Sequence, residues 1–336
     1  MSKKKVTMQE IADKIGVSKV TVSKALHGKE GVGAKLREEI RREAQASGYQ
    51  LSVQDSAKTS SVKKVVVFCD SKFFDESTRS YFYVKIYQRI ADELLERGAI
   101  ATLVNVARQK DYSVQRVLLE AASFDGVILL GSLDPAFIEM VQQVPIPRIF
   151  VDHYDATKSH DCVLVENFYN MYDATCYLLE CGHKEIGFVG TTMVTQSIND
   201  RFLGYQRALL QWKIPLRQEW ILSDRTLDNE PIDMILHSKL PEAFVCNCDE
   251  TAYRLVQELH RQGVRVPEDL SIVSFDDDIF ASMTKPPLTT VAVDVFDMAK
   301  KAAECMMENM KPGFQSRGKI YLVKGEIIFR DSVKNR

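Results

Sequence analysis

Three short segments at the start of the chain place apolar residues at helical spacing. Residues 8–15 carry the first apolar stripe, and the pattern predicts a helix that Thr7 caps and a glycine ends. A second helix is predicted over about 18–26 and a third over about 34–48, each with one inward apolar face. Two short helices joined by a tight turn and braced by a third are typical of a helix-turn-helix unit.

The pattern changes after residues 51–64, a polar, serine-rich segment that is predicted to be a linker. Beyond it, short apolar runs alternate with amphipathic segments, and this alternation predicts βαβ units and parallel sheets. The predicted strands lie at 65–70, 100–106, 126–132, 146–152, 162–165, 185–190, 243–247 and 270–276. The predicted helices lie at 81–97, 112–123, 134–143, 167–181, 197–213, 228–238 and 249–263.

Two series of strands predict two similar α/β lobes. The tail adds a strand at 288–294, a helix near 294–310 and strand pattern at 319–330, and it is expected to return to the first lobe. The predicted boundaries are 1–50 for the head, 51–64 for the linker or hinge, and 65–336 for the body, with a first lobe of about 65–160 plus 292–325 and a second of about 161–291. Because ligands of open α/β sheets bind outside the carboxyl ends of the strands, the cleft between the lobes is the expected small-molecule site.

Charge divides the chain in the same place. The formal net charge of the 336 residues is −2, but residues 1–64 carry +7 and residues 65–336 carry −9. A basic head on an acidic body indicates that the head meets a polyanion. The sequence lacks the roughly 18 consecutive apolar residues of a membrane span and the apolar run of a secretion signal, so a cytoplasmic location without membrane attachment is expected.

The seven cysteines show no metal-site or redox spacing. They form no C-x-x-C pair, and no histidine stands at a zinc-like interval. Cys246 and Cys248, separated by one asparagine, are the pair that most invites a metal or redox interpretation, but without further ligands reduced thiols in cores or at strand ends are favoured. We therefore predict no metal and no cofactor.

Motifs in both parts resemble one family. VTMQEIADKIGVSKVTVSKALHGKEGV resembles the head motif of the LacI/GalR (lactose/galactose repressor) family of bacterial transcription regulators almost position by position, and ECGHKEIGFVG, DRFLGYQRAL, VPEDLSIVSFDD and PPLTTV resemble its ligand domain. The resemblance covers nearly the whole chain. It implies an all-α helix-turn-helix head and an α/β two-lobed, periplasmic-binding-protein-like body of parallel sheets flanked by helices. It also implies a homodimeric repressor that binds double-stranded operator DNA and a small effector, a sugar or sugar derivative.

The second helix of such a head lies in the major groove with its first residues against base edges. Lysine can donate to guanine and a valine methyl can pack on thymine, so Lys19 and Val20 are the predicted base-reading residues. A solvated basic face with Val20 packed inward is the alternative. The remaining candidate DNA contacts, which suit phosphates or the turn, are Thr7, Ser18, Thr21, Ser23, Lys24 and His27.

The head departs from the family pattern at three positions. His27 stands where the family usually has asparagine, and Gly33 stands where a serine usually caps the third helix. Family members typically wedge a leucine of the hinge into the minor groove, whereas ungapped counting places Lys58 there. Since a lysine cannot act as an apolar wedge, we expect weaker DNA bending or a different half-site spacing.

The resemblance also implies effector contacts in the body. Arg201 matches the arginine that typically reaches a sugar hydroxyl, Asp276 matches the strand-end acid that accepts from hydroxyls, and Ser197 shares a helix face with Arg201. An interlobe salt bridge for Arg201 and a helix cap for Asp276 are the alternatives. The segment FFDESTRSYFY offers stacking aromatics for a sugar ring, with core packing equally open for each: Phe74, Tyr81 and Phe82. Cys248 stands where the family usually has asparagine, so the usual effector contact is expected to change there.

Two other classes of protein compete with a repressor. A sugar-binding transport protein or cytosolic sugar sensor shares the two-lobed body, but the basic head and the absence of a signal peptide argue against it. An α/β enzyme is the third class. The sequence has no G-x-S-x-G, H-E-x-x-H, G-x-x-x-x-G-K-[ST] or Gly-rich dinucleotide motif, so no catalytic residues are predicted.

Overall fold

The computed structural model describes residues 7–26, 31–47, 62–74, 81–109, 111–121 and 123–336. These fall into two compact units, residues 1–62 and residues 63–336. The boundary between the two units, after residue 62, falls within the predicted linker 51–64. Most of this linker lies outside the described residues. His27 and Lys58 also lie outside them, and the expectation of weak DNA bending stays a prediction.

The first unit is a three-helix bundle of α1 (Met8–Ile15), α2 (Lys19–Leu26) and α3 (Ala34–Ala46). A reciprocal capping box begins α1: the Thr7 hydroxyl accepts from the Glu10 N–H at 3.3 Å, and the Glu10 carboxylate accepts from the Thr7 N–H at 2.8 Å. Gly16 ends α1 in the left-handed conformation, as its position in the sequence predicted. The bundle core contains Ile11, Ala12, Val22, Ala25, Ile40 and Ala44.

The second unit contains two six-stranded sheets with helices on both faces. The first sheet has the order β11-β5-β4-β3-β1-β2 and the second has the order β12-β10-β9-β8-β6-β7. All neighbours pair in parallel except β10 and β12, which are antiparallel. The strands are β1 (Lys63–Asp70), β2 (Ala99–Val106), β3 (Gly126–Leu130), β4 (Arg148–Val151), β5 (Cys162–Val165), β6 (Ile186–Val189), β7 (Ile221–Leu222), β8 (Ala243–Cys246), β9 (Ser271–Asp276), β10 (Thr289–Ala292), β11 (Ile320–Val323) and β12 (Glu326–Ile328).

Most helices match the predicted amphipathic segments within a few residues, but the short helix over Ile279–Met283 was not predicted and one predicted helix is missing. The helices are α4 (Phe82–Glu96), α5 (Ser113–Ala121), α6 (Pro135–Gln142), α7 (Asn167–Glu180), α8 (Gln196–Gln211), α9 (Asp249–Arg261), α10 (Ile279–Met283) and α11 (Val295–Asn309). The helix expected over 228–238 is absent. That segment turns back at Asn229 and pairs with residues 224–226 instead: the Thr226 N–H donates to the Glu230 carbonyl and the Ile232 N–H to the Asp224 carbonyl.

The chain crosses between the two sheets three times: after β5, after β10 and after β11. Residues 162–165 therefore belong to the first sheet, although the sequence pattern assigned them to the second lobe. The pairing of β5 with β4 moves the first crossing from before Cys162 to after Val165. The tail divides as well, since β11 joins the first sheet and β12 joins the second. A four-residue buried strand fits either sheet, and only its partners decide.

Helices α7 and α8 pack closely against each other at Gly204. A Cβ atom at this position would overlap the carbonyl oxygen of Phe168 and lie 3.0 Å from the Tyr172 amide nitrogen. Both are backbone atoms of α7, so neither can move aside as a flexible side chain would. The absence of a side chain at Gly204 therefore sets the distance between the two helices.

We expect Gly204→Ala to lower the free energy of unfolding of residues 63–336 by about 1–3 kcal/mol. The higher helix propensity of alanine favours the variant by only about 1 kcal/mol, which is less than the cost of separating two backbones. Urea denaturation of wild type and variant measures the difference, with Arg207→Ala on the exposed face of α8 as the matched control. Equal midpoints for Gly204→Ala and wild type would contradict close packing here.

Candidate functional site

The exposed face of α2 is the candidate surface in the head. Lys19, Val20 and Lys24 are exposed, with Val20 at 64 % of its full accessibility, whereas Val22 and Ala25 of the same helix are buried. Val20 therefore does not pack inward, and the alternative interpretation does not hold for this residue. An exposed valine beside an exposed lysine at the start of a helix can meet the edge of a base and a thymine methyl group together.

The other candidate head residues mostly hold the turn. The Ser18 hydroxyl accepts from the Thr21 N–H at 3.0 Å and lies 2.8 Å from the Thr21 hydroxyl, so it caps α2. Thr7 is committed to the capping box of α1, and Ser23 is half-buried on α2. Thr7 and Ser18 thus stabilise the first turns of α1 and α2, and Ser18 does so directly beside Lys19 and Val20.

In the second unit, polar residues collect where strands of both lobes end. The first lobe contributes Asp152, directly after β4, and the second contributes Asn247 and Cys248 after β8 and Asp276 at the end of β9. Three cavities of about 760, 610 and 390 Å³ follow this junction of the lobes. The largest is lined by residues of both lobes, including Lys72 and His153 from the first and Thr195 and Asp228 from the second.

Arg201 lies at the centre of this junction and is buried at 6 % exposure. Its Nε donates to Asn167 Oδ1 at 2.7 Å, its Nη1 donates to the Asn247 carbonyl at 2.5 Å, and its Nη2 lies 3.2 Å from Asp276 Oδ1. The guanidinium also stacks on the Phe275 ring, 3.7 Å from the centroid. The Arg201–Asp276 ion pair is internal to the second lobe, so the interlobe alternative does not hold for this pair.

Asp276 occupies a strained turn at the end of β9. Its φ is 108°, and the following Asp277 has a φ of 53°, so two consecutive non-glycine residues are left-handed. The carboxylate that caps the next helix, α10, belongs to Asp278, which accepts from the Ile279 N–H at 2.7 Å. Asp276 is thus not the cap considered above, and its carboxylate faces the junction and Arg201.

Asp249 fixes this turn from the start of α9. Its carboxylate accepts from the Asp278 N–H and from the Thr290 hydroxyl, both at 2.7 Å. Burial raises the pKa of Asp249 to about 8, with the charge of Asp276 acting in the same direction. Asp249 is therefore a positioning residue. It was not among the site residues predicted from the sequence, although it directly follows Cys248.

Tyr83 and Asp152 form a second pair that the sequence analysis missed. The Tyr83 hydroxyl donates to Asp152 Oδ2 at 2.7 Å, and a Cβ atom on Gly131 would lie 2.8 Å from the Tyr83 ring. Burial raises the pKa of Asp152, while Tyr83 and the charge of Arg201 lower it. The glycine after β3 thus makes room for a tyrosine that orients a carboxylate toward the other lobe.

The aromatic candidates around α4 separate in the structure. Tyr81, just before α4, is 56 % exposed, whereas Phe82 is buried in the core of the first lobe and also lines the 610 Å³ cavity. The side chain of Phe74 lies outside the described part of the chain. Ser197 lines the 390 Å³ cavity with Asp152, and its hydroxyl lies 3.0 Å from that of Thr195.

Cys248 adjoins a buried ionic network. Its Sγ lies 3.7 Å from Arg225 Nη2 and 3.3 Å from the Thr251 hydroxyl, and Arg225 forms an ion pair with Asp224 at 2.6 Å. Burial opposes ionisation of Asp224, but the hydrogen bonds and charge of Arg225 outweigh it and lower the Asp224 pKa. Burial raises the pKa of Cys248 to about 11, so this thiol is protonated at neutral pH. All seven cysteines are free thiols.

Protonation of Asp276 links the site to pH. Burial raises its pKa to about 7, Asp152 and Asp278 add to the rise, and Arg201 opposes it. Because the folded state then holds a proton that the unfolded state releases near pH 4, this group makes stability fall as pH rises from about 4 to about 7. Asp276→Asn should remove a slope of up to about 1.4 kcal/mol per pH unit, measured as the wild-type-minus-variant difference in unfolding free energy. A difference independent of pH over this range would contradict the raised pKa.

No helix in the described ranges has the length and apolar character needed to cross a bilayer. Within the same residues, no group of three or more histidine, cysteine, aspartate or glutamate side chains is arranged to hold a metal ion.

Comparisons with known proteins agree with both units. Residues 7–52 match the family described as "Bacterial regulatory proteins, lacI family", and residues 175–333 match the "Periplasmic binding protein-like domain". The HTH-type transcriptional repressor PurR of Vibrio cholerae is 27 % identical over 339 residues, which cover 98 % of each chain. The HTH-type transcriptional repressor CytR of Escherichia coli is also 27 % identical, covering 98 % of this chain and 96 % of its own.

The fold is shared with a solved repressor structure. The lac repressor dimer bound to operator and the anti-inducer ONPF has a TM-score of 0.69 at 19 % identity, covering 98 % of this chain and 100 % of its own. The head motif, the two-lobed body and the matched models support one conclusion: this chain joins a head domain of the lacI family of bacterial regulatory proteins to a periplasmic binding protein-like domain.

Proposed function

We propose that this protein is a transcriptional repressor that binds operator DNA through its head and a small, sugar-like effector through the cleft between its lobes. The single observation that carries the proposal is the exposed Lys19–Val20 face of a capped helix-turn-helix, joined in one chain to a cleft lined by strand ends. Curated relatives matched over nearly their full length are named transcriptional repressors, which supports this function rather than catalysis.

The head supplies two kinds of DNA contact. Lys19 and Val20 at the start of α2 read base edges, and Lys24 with the hydroxyls around the turn binds phosphates. The excess of positive charge in residues 1–64 supplies the sequence-independent part of the affinity, which falls as salt rises. Sequence preference then rests on a small number of side chains on one exposed helical face.

Effector binding acts by population shift. A ligand between the lobes contacts Asp152 from the first and Arg201 or Asp276 from the second, so it stabilises one relative arrangement of the lobes over others. DNA and effector then change each other's affinity by the same factor. Ser197 and Tyr81 complete the proposed contact set, and operation in the cytoplasm follows from the DNA target.

A homodimer completes the proposal, because two heads are needed for two half-sites. Helix α5 exposes Val114 and Val117 at 75 % and 61 %, three residues apart on one helical face. We expect Val114→Asp/Val117→Asp to shift the protein toward monomer in sedimentation velocity and to weaken operator binding. Leu210→Asp, at an equally exposed apolar position of α8, is the matched control and should remain dimeric. A dimer that persists in the α5 variant would exclude this face.

The proposal is tested with the purified protein and fragments of its own upstream region. Fluorescence anisotropy at two salt concentrations separates specific from electrostatic binding, and free mono- and disaccharides are then added to the complex. Tight binding of one fragment with release or tightening by a sugar supports an effector-controlled repressor. Ligand binding without specific DNA binding would instead identify a sugar sensor.

A further inference from the structure

The charged groups of the cleft limit what it can bind. We propose that the effector is a hydroxyl-rich molecule without negative charge, and that phosphorylated or carboxylate-bearing sugars are rejected. This inference rests on the effector role proposed above and specifies its ligand class. It follows from the partners of the cationic side chains and from the excess of carboxylates in the described cavity linings.

Arg201, the cation at the centre of the junction, has no nitrogen without a protein acceptor within reach. Asn167 Oδ1, the Asn247 carbonyl and Asp276 Oδ1 lie 2.7, 2.5 and 3.2 Å from its three nitrogens. One face of the guanidinium is covered by the Phe275 ring. An anion could reach Arg201 only by displacing Asp276, which would leave a buried carboxylate without its cation.

Arg201 itself lines none of the three cavities, and the basic residues that do line them are paired as well. Each has a carboxylate oxygen within 3.8 Å: Lys72 with Asp70, Lys85 with Asp278, Arg89 with Asp92, Arg108 with Asp134, and Lys324 with Asp173. Burial lowers the pKa of His153, so this side chain is uncharged at neutral pH. The described lining thus offers an anionic ligand no cation that lacks a carboxylate neighbour.

Carboxylates outnumber these five basic residues in the described linings. Fourteen acidic side chains line the three cavities: Asp70, Asp134, Glu139, Asp152, Asp155, Glu166, Asp200, Asp228, Glu230, Asp276, Asp277, Asp278, Asp294 and Glu326. Burial raises the pKa of three of them, Asp152, Asp200 and Asp276, but the other eleven still outnumber the basic residues, so the surface holds a negative potential that repels anions. The site therefore offers many hydrogen-bond acceptors and few unpaired hydrogen-bond donors. A ligand with many hydroxyl groups, each able to donate a hydrogen bond, matches such a site.

Asp152 and Asp276 mark the inner end of this acceptor surface. Asp152 accepts from Tyr83, and Asp276 interacts with Arg201, so each carboxylate retains lone pairs beyond these contacts. They come from opposite lobes, and each raises the cost of ionising the other when the lobes approach. Hydroxyl groups that donate to both would lower that cost and favour the closed arrangement.

Inorganic phosphate is a direct probe of this selectivity. The thermal midpoint of the full chain is measured in phosphate and in chloride at matched ionic strength, for wild type, Asp152→Asn/Asp276→Asn, and the exposed control Asp233→Asn/Glu308→Gln. We expect no phosphate-specific stabilisation of wild type or control. The cleft variant, in which Arg201 loses its carboxylate partner, should bind phosphate at least about tenfold more tightly than wild type. Specific stabilisation of wild type by phosphate would overturn the proposal.

A second measurement needs only the wild-type protein and so does not depend on folding of the variants. Glucose, ribose and cellobiose are compared with their phosphate esters for stabilisation of the protein. An ester that stabilises the protein as much as or more than its free sugar overturns the proposal, and a free sugar that stabilises the protein while its ester does not supports it. Because neither readout contains DNA, anisotropy on the same samples distinguishes failure of this inference from failure of the repressor function.

Discussion

Lys19→Ala/Val20→Ala should bind the operator fragment about 100-fold more weakly than wild type while keeping its affinity for unrelated DNA nearly unchanged. Each side chain is exposed at the start of α2, and a good base contact contributes about 1–3 kcal/mol of discrimination. Two such contacts at the lower part of that range give about 2.7 kcal/mol, and every 1.4 kcal/mol is a factor of ten. Fluorescence anisotropy with operator and scrambled fragments measures both affinities.

Arg41→Ala is the matched control, because it also removes one positive charge from the head. Arg41 is exposed on α3, outside the helix that carries the base-reading face. Arg41→Ala should weaken binding to operator and to scrambled DNA by similar, small factors, because it changes only the electrostatic component of the affinity. If Arg41→Ala and the α2 variant lost specificity equally, α2 would not be the reading helix.

Arg201→Ala should lower the free energy of unfolding of the body by about 3–5 kcal/mol and abolish the effect of any sugar on operator binding. The cost arises because the acceptors on Asn167 and Asn247 lose their donor, and because Asp276 loses the cation that lowers its pKa and must take up a proton or stay charged while buried. Chemical denaturation gives the stability change, and anisotropy with added sugar gives the functional one. Arg207→Ala on the same helix should change neither.

A double-mutant cycle separates the ion pair from the packing of Arg201. If the unpaired charge of Asp276 is the main cost, Arg201→Ala/Asp276→Asn should recover part of the stability that Arg201→Ala loses. Arg201→Lys should recover little, since one ammonium group cannot reach three acceptors in different directions. Full recovery by lysine would show that the fork geometry of Arg201 is not what the site requires.

Periodicity in the sequence predicted nearly all of the elements but not the partners of each strand. The stripe of Phe82, Ile86, Ile90 and Leu94 indicated α4 and also explains why Phe82 is buried in the core, whereas its neighbour Tyr83 points toward Asp152. Such a pair joins residues 69 positions apart, and no local pattern encodes it. The assignment of Cys162–Val165 to the first sheet likewise depends on a strand partner and not on the strand's own composition.

Sequence reasoning brought Arg201 and Asp276 to the same site through resemblance to a family, and the structure places them 3.2 Å apart. It did not predict that the fork of Arg201 is already occupied. The occupation of its nitrogens depends on three-dimensional neighbours, here an asparagine at the start of α7 and a carbonyl after β8. Whether Arg201 pairs across the lobes or within the second lobe therefore required the fold.

The three crossings between the lobes also determine the order in which the body can be completed during synthesis. The first sheet gains its edge strand β11 from residues 320–323, and α11, which covers β3, β4 and β5, comes from residues 295–309. When the ribosome has synthesised all the parallel strands of the second lobe, α11 and β11 of the first lobe have still not been made. The first lobe consequently remains incomplete until about the last eighth of the chain has been made, and a nascent or truncated protein exposes its unfinished apolar face until then.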